Sequence, residues 1–220
     1  RGRKMESYQI ELLNMVLTLL FVQLGAATMS AYLFRNVESM AFMIGSFIIS
    51  IALIFICFAA ARTENAMNVI SMIALFGVSN GATLGSFTLM VTRGKKRATE
   101  AVFLTLGIIA FGTFVAAMVG LFSGYNFQGW GTTMFVILLG IIAISLIGIF
   151  VKFGKVMEVM MGLGISLFFF LYMIYDFNKA VDQYKTASWT AAVDIAMNLF
   201  LDMLNIFVRL LPIIADAMDS

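Results

Sequence analysis

Histidine is absent from the 220 residues, and the chain holds one cysteine, Cys57, and one proline, Pro212. The missing histidine removes the commonest proton shuttle and metal ligand, so a response to pH near neutrality has to run through carboxylates. A single cysteine excludes a disulfide within the chain, and its place in an apolar run points to packing rather than reactivity. Charge is scarce too. Only 12% of residues are charged, against roughly a quarter in a soluble domain, and a formal net charge of +2 offers nucleic acid no basic surface.

What is present is apolar. Hydrophobic residues make up 62% of the chain and mean hydropathy is +1.00. Apolar stretches of about 20 residues recur between short charged clusters, as a hydrocarbon layer of roughly 30 Å demands of spanning helices. Alternating strands of about ten residues do not occur, which argues against a membrane barrel. The sequence therefore predicts an all-α integral membrane protein, a single domain over residues 1–220 built as a bundle of seven transmembrane helices. The expected spans are Ile10 to Phe34, Met40 to Ala61, Met67 to Val91, Ala101 to Phe122, Thr132 to Val151, Val156 to Tyr175 and Ala187 to Ile214. The seventh is only semi-hydrophobic, because it contains Asp194, Asp202 and Arg209.

Lysines and arginines in the loops nearly cancel between the two sides, so the positive-inside rule fixes no orientation. The chain opens on Arg1 rather than methionine, and a short leader or the native start is expected to precede it. Small residues recur at every fourth position as Gly77, Gly81 and Gly85, and again as Gly112, Ala116 and Gly120, with Gly140 and Gly148 in the fifth span. This spacing predicts close helix packing in lipid rather than a pore lining.

The informative carboxylates are Asp176, at the end of the sixth apolar run, and Asp202, inside the seventh. With the two spans as an antiparallel hairpin turning near Lys185 to Trp189, Trp189 is the sequence midpoint between them. Equal helical rises then place both carboxylates at one depth, provided the sixth helix continues past Asp176 as a polar extension beyond the membrane. On the seventh helix Asp194, Asn198, Asp202, Asn205 and Arg209 are spaced four, four, three and four apart, which is one face. Asn198 and Asn205 are expected to flank Asp202 and supply amide donors to it. Asp194 and Arg209 read as boundary residues.

Two carboxylates in hydrogen-bond reach cannot both ionise cheaply, so they share a proton and titrate in two separated steps. The hypothesis is a pH-sensitive latch: with one proton the pair joins the helices, and with none it repels or accepts a cation. Paired carboxylates beside amide oxygens suit a hard cation, which makes Asp176 and Asp202 candidate calcium ligands. Arg62, in "CFAAARTEN", ends the second span on the same side as Asp176 and is a candidate positive partner.

At "LYMIYDFNKAV" in the sixth helix, "LFLDMLNIFVRLL" in the seventh, "GATLGS" in the third, and "EAVFLTLGIIAFGTF" leading through "YNFQGWG" into the fifth, the chain resembles the transmembrane Bax inhibitor motif family. The resemblance implies seven helices in a bacterial plasma membrane, or in an internal membrane of a eukaryote. It also implies pH-dependent calcium leak and, in eukaryotes, suppression of cell death. Residue by residue, Asp176 and Asp202 match the family's aspartate pair, and Arg62 approximately matches a basic residue reported to latch onto it. Ser86 stands where members often have proline, and Ile51 and Ala52 stand where some relatives place an acid.

Three functions compete on these residues. The first is a cation leak channel or exchanger gated by the aspartate pair, with the lipid bilayer, calcium and protons as its partners. The second is a non-conducting regulator that binds a membrane protease or a cell-survival factor, for which the 17 methionines would give adaptable packing. The third is an intramembrane aspartyl protease, which has the "YD" of Tyr175 and Asp176 but lacks a Gly-x-Gly-Asp element, since Leu201 precedes Asp202. The first is preferred, so the protein is expected to be no enzyme, to need no resident cofactor, and to meet calcium as a bound or transported ion.

Overall fold

A computed structural model describes residues 5–151 and 153–219. Seven long helices follow one another: α1 (Ser7–Leu33), α2 (Met40–Ala61), α3 (Ala66–Thr92), α4 (Ala98–Phe122), α5 (Gly131–Phe150), α6 (Lys155–Asp182) and α7 (Trp189–Asp219). A 3-10 turn at Gln128–Trp130 leads into α5, and no strand occurs among the described residues. All seven helices are long and apolar enough to cross a membrane, and the chain is a multi-pass integral membrane protein of all-α class. The predicted spans fall on the seven helices, most ends agreeing to within a few residues; α6 and α7 extend farthest beyond them.

Local chemistry sets several starts. Ser39 accepts from the Phe42 N–H at 3.2 Å to cap α2, and Asn65 accepts from the N–H groups of Met67 at 3.0 Å and Asn68 at 3.2 Å to cap α3. At the start of α1 the Glu6 N–H donates to the Gln9 side chain at 2.8 Å. Gly124, with φ 73°, turns the chain after α4 in a conformation that favours glycine.

The helices gather into two units. The first comprises Met5–Ala98 and Tyr184–Phe200. Here α3 lies directly on α1: a Cβ at Gly77 would stand 2.6 Å from the Gln23 carbonyl oxygen, one at Gly85 2.6 Å from that of Ala31, and one at Gly81 would overlap that of Ala27. Hydroxyls join α2 to α3, with the Ser50 hydroxyl donating to Ser79 Oγ at 3.0 Å and the Ser79 hydroxyl donating to the Ser46 carbonyl at 2.7 Å. Phe76 meets Phe200 edge to face at 5.9 Å between ring centres.

The second unit comprises Thr99–Gln183 and residues 201–219. In it α4 meets α6 through glycines, since a Cβ at Gly120 would stand 2.6 Å from the Ile174 carbonyl oxygen, and one at Gly112 would overlap the Phe170 ring. The expectation of packing fails at Gly140, which has open space where its side chain would be. Its helix faces outward: 6% of the α5 apolar window is buried against 67% of that in α7. The semi-hydrophobic helix is thus the one covered by protein, which is how it carries polar residues that lipid would not tolerate.

Candidate functional site: a carboxylate pair with a lysine

The last turns of α6 are the polar segment predicted as an extension into water. They instead form part of the interior, for Asp176, Phe177, Asn178, Lys179, Ala180 and Val181 are all buried. Asp176 and Lys179 are three residues apart and so share a helix face. The Lys179 Nζ lies 3.0 Å from Asp176 Oδ1, with the side chains 10% and 0% exposed, and sits 5.3 Å from the centre of the Tyr175 ring, an attraction of cation to π face.

Asp202, on α7, is also buried, and its carboxyl is near enough to that of Asp176 for the two to interact electrostatically. The structure therefore brings the two aspartates together. A hydrogen bond between two carboxyl groups needs a proton on one of them. Two carboxyls, one shared proton and one ammonium sum to zero charge, the state that an apolar interior tolerates best.

Asn178 locks this segment to the connection between α4 and α5. Its Oδ1 accepts from the Phe127 N–H at 3.0 Å and from Gln128 Nε2 at 3.2 Å. Its Nδ2 donates to the carbonyls of Gly120 and Tyr125, each at 3.1 Å, and to Asp182 Oδ2 at 2.8 Å. Sequence reasoning missed both Lys179, which it left within the polar extension beyond the membrane, and Asn178. The signal for Lys179 was its three-residue spacing from Asp176; the sequence shows only the Asp182 partner of Asn178, one turn on, because its partners in α4 and the connection to α5 are 50 or more residues away.

The remaining predicted residues go elsewhere. Asn198 donates to Asp194 Oδ1 at 3.3 Å, and Asp194 also accepts from the Tyr184 hydroxyl at 2.8 Å. Asn205 is exposed, and its amide donates to the Leu201 carbonyl at 2.8 Å. Neither asparagine donates to Asp202, because on a helix an amide finds the acceptor one turn back. Arg209 donates to Ser145 Oγ on α5 at 2.7 Å. Arg62 is exposed at the C-cap of α2, and the cation beside Asp176 is Lys179.

The pair does not suit a resident calcium ion. Among the described residues no group of three or more His, Cys, Asp or Glu side chains converges on a point, and the Lys179 ammonium stands where a bound cation would neutralise the carboxylates.

Comparison with known proteins gives the wider setting. The sequence model of one family, described as inhibitor of apoptosis-promoting Bax1, matches residues 10–219. The chain is 28% identical over 144 residues to Protein LIFEGUARD 4 of Arabidopsis thaliana, a match over 64% of this chain and 55% of the plant protein. It is thus aligned to about half the length of that relative. An uncharacterized membrane protein of Streptococcus pyogenes is 28% identical over 174 residues, covering 77% of this chain and 72% of its own length. The inner membrane protein YbhL of Escherichia coli is 26% identical over 200 residues, covering 88% and 82%.

Proposed function

The chain belongs to the family of the inhibitor of apoptosis-promoting Bax1, and we propose that this member is a pH-sensitive cation leak pathway, with calcium as the passing ion, gated by the Asp176–Asp202 pair. The observation that carries the reading is the juxtaposition of two buried carboxyl groups on α6 and α7 with the Lys179 ammonium 3.0 Å from one of them. The shared proton fastens one helix to the other, and Lys179 offsets the remaining negative charge. When the proton leaves, two carboxylates face a single ammonium: the hydrogen bond is gone, the carboxylates repel, and the net negative site attracts a cation. Calcium is the substrate of this gate rather than part of it.

The test is calcium flux into liposomes holding the purified protein, followed over a pH series for wild type, Asp176→Asn and Asp202→Asn. An asparagine keeps hydrogen-bonding capacity but cannot exchange a proton. Flux that varies with pH in wild type and loses that variation in both variants is expected. No flux in wild type, or an unaltered pH profile in both variants, sinks the gate and leaves a non-conducting regulator of a membrane protease or survival factor ahead. Cleavage of a model transmembrane peptide that needs both aspartates would favour the protease instead.

A further inference from the structure

A cavity of about 650 Å³ opens between α5, α6 and α7, and Ser145, Lys155, Glu158, Arg209 and Asp216 supply its charged and hydroxyl groups. These groups are ordered by depth. Lys155 begins α6 and Asp216 lies in the last turns of α7, at the mouth. Glu158 is about one turn further in, and Arg209 is seven residues before Asp216, roughly 10 Å deeper along α7. The walls between are apolar, Ile165 and Ile213 among them.

The deep cation is under-partnered for its setting. Among the described residues the Arg209 guanidinium has one hydrogen-bond partner, the neutral Ser145 hydroxyl at 2.7 Å. A guanidinium offers five N–H donors, and within a membrane span it is costly without an anion. At the mouth the charges differ: Lys155 meets Asp216 at 3.6 Å with both side chains largely exposed, and Glu158 adds a second carboxylate. The cavity therefore presents a cation in its depth and, at the mouth, two carboxylates against one lysine, over apolar walls.

We propose that this cavity binds a zwitterionic phospholipid with a primary-amine headgroup, of the phosphatidylethanolamine type. The phosphodiester takes the Arg209 fork, whose planar donors match phosphate oxygens. The ammonium, which lies outward of the phosphate in such a lipid, reaches Glu158 and Asp216, and an acyl chain covers the apolar wall. Phosphatidylglycerol carries the same phosphodiester but a neutral glycerol in place of the ammonium, so it brings the two carboxylates no positive charge. A quaternary choline headgroup has no N–H to donate to them. Free phosphate would lack the chain that occupies the wall.

Retention of lipid by the full-length protein tests this. Protein in phosphatidylcholine nanodiscs is exchanged against phosphatidylethanolamine or phosphatidylglycerol, or incubated with soluble phosphoethanolamine, and bound lipid is counted by native mass spectrometry. Wild type is expected to retain phosphatidylethanolamine over the other two lipids. Arg209→Gln should lose about tenfold in retention, the equivalent of one charge-assisted hydrogen bond, and Arg209→Lys should recover part of it. Glu158→Gln should erase the preference over phosphatidylglycerol. Gly148→Leu grows a side chain from a lining position whose Cβ would make only an ordinary 3.5 Å contact with Phe153. It should displace lipid without altering charge, which guards against a variant that merely misfolds. Equal retention of all three lipids, unchanged retention in Arg209→Gln and Gly148→Leu, or competition by soluble phosphoethanolamine as strong as that of the lipid would overturn the proposal.

Discussion

Replacing Lys179 by methionine keeps the length and apolar stem of the side chain and deletes one charge. The ammonium removed lies 3.0 Å from Asp176 Oδ1, with side chains 10% and 0% exposed, so water cannot take its place. Removing one partner of a buried ion pair costs about 3–5 kcal/mol, because the other charge stays behind without compensation. For a chain of this size each kcal/mol shifts the thermal midpoint by roughly 2–4 °C, so Lys179→Met should unfold about 6–20 °C below wild type, read by tryptophan fluorescence in detergent. The deficit should shrink as pH falls, since a second proton on the aspartate pair then does what the ammonium did. Asp176→Asn combined with Lys179→Met removes both charges and should recover much of the loss, giving a coupling energy well above about 1 kcal/mol in the double-mutant cycle. A single variant within about 1 kcal/mol of wild type, or a double variant that simply adds the two single losses, would show that the lysine does not neutralise the pair.

Gly81→Ala and Gly140→Ala make the same chemical change in opposite surroundings. The first drives a methyl into the Ala27 carbonyl while the second meets open space, so a loss of about 1–3 kcal/mol is expected at 81 and none at 140, by the same thermal assay. Asn178→Ala should leave α6 in place but free the α4–α5 connection, seen as faster amide hydrogen exchange at Phe127, whose N–H donates to Asn178 at 3.0 Å; unchanged exchange there would refute the locking role. Ser79→Ala deprives the Ser50 hydroxyl of an acceptor at 3.0 Å and the Ser46 carbonyl of a donor at 2.7 Å, and should cost about 1–3 kcal/mol of thermal stability.

The seven spans were legible because a bilayer fixes the length and apolarity of whatever crosses it. The encounter of Asp176 with Asp202 was legible for a related reason, since rise per residue alone sets depth on two antiparallel helices. What a bilayer does not specify is which protein surface covers a polar residue. Lys179 therefore fell within the polar extension expected beyond the membrane, whereas burial of the last α6 turns makes it the counter-ion of Asp176. The same blindness sent Asn198 and Asn205 to Asp202 on the strength of a shared stripe, although each amide takes an acceptor one turn back. Glycine spacing carried the argument at Gly81 but not at Gly140, where Ile144 breaks the four-residue repeat before Gly148. Depth is thus written in sequence and partnership is not. Within a membrane the two separate more widely than in water, since a polar residue there has only protein to turn to and the choice among partners decides its chemistry.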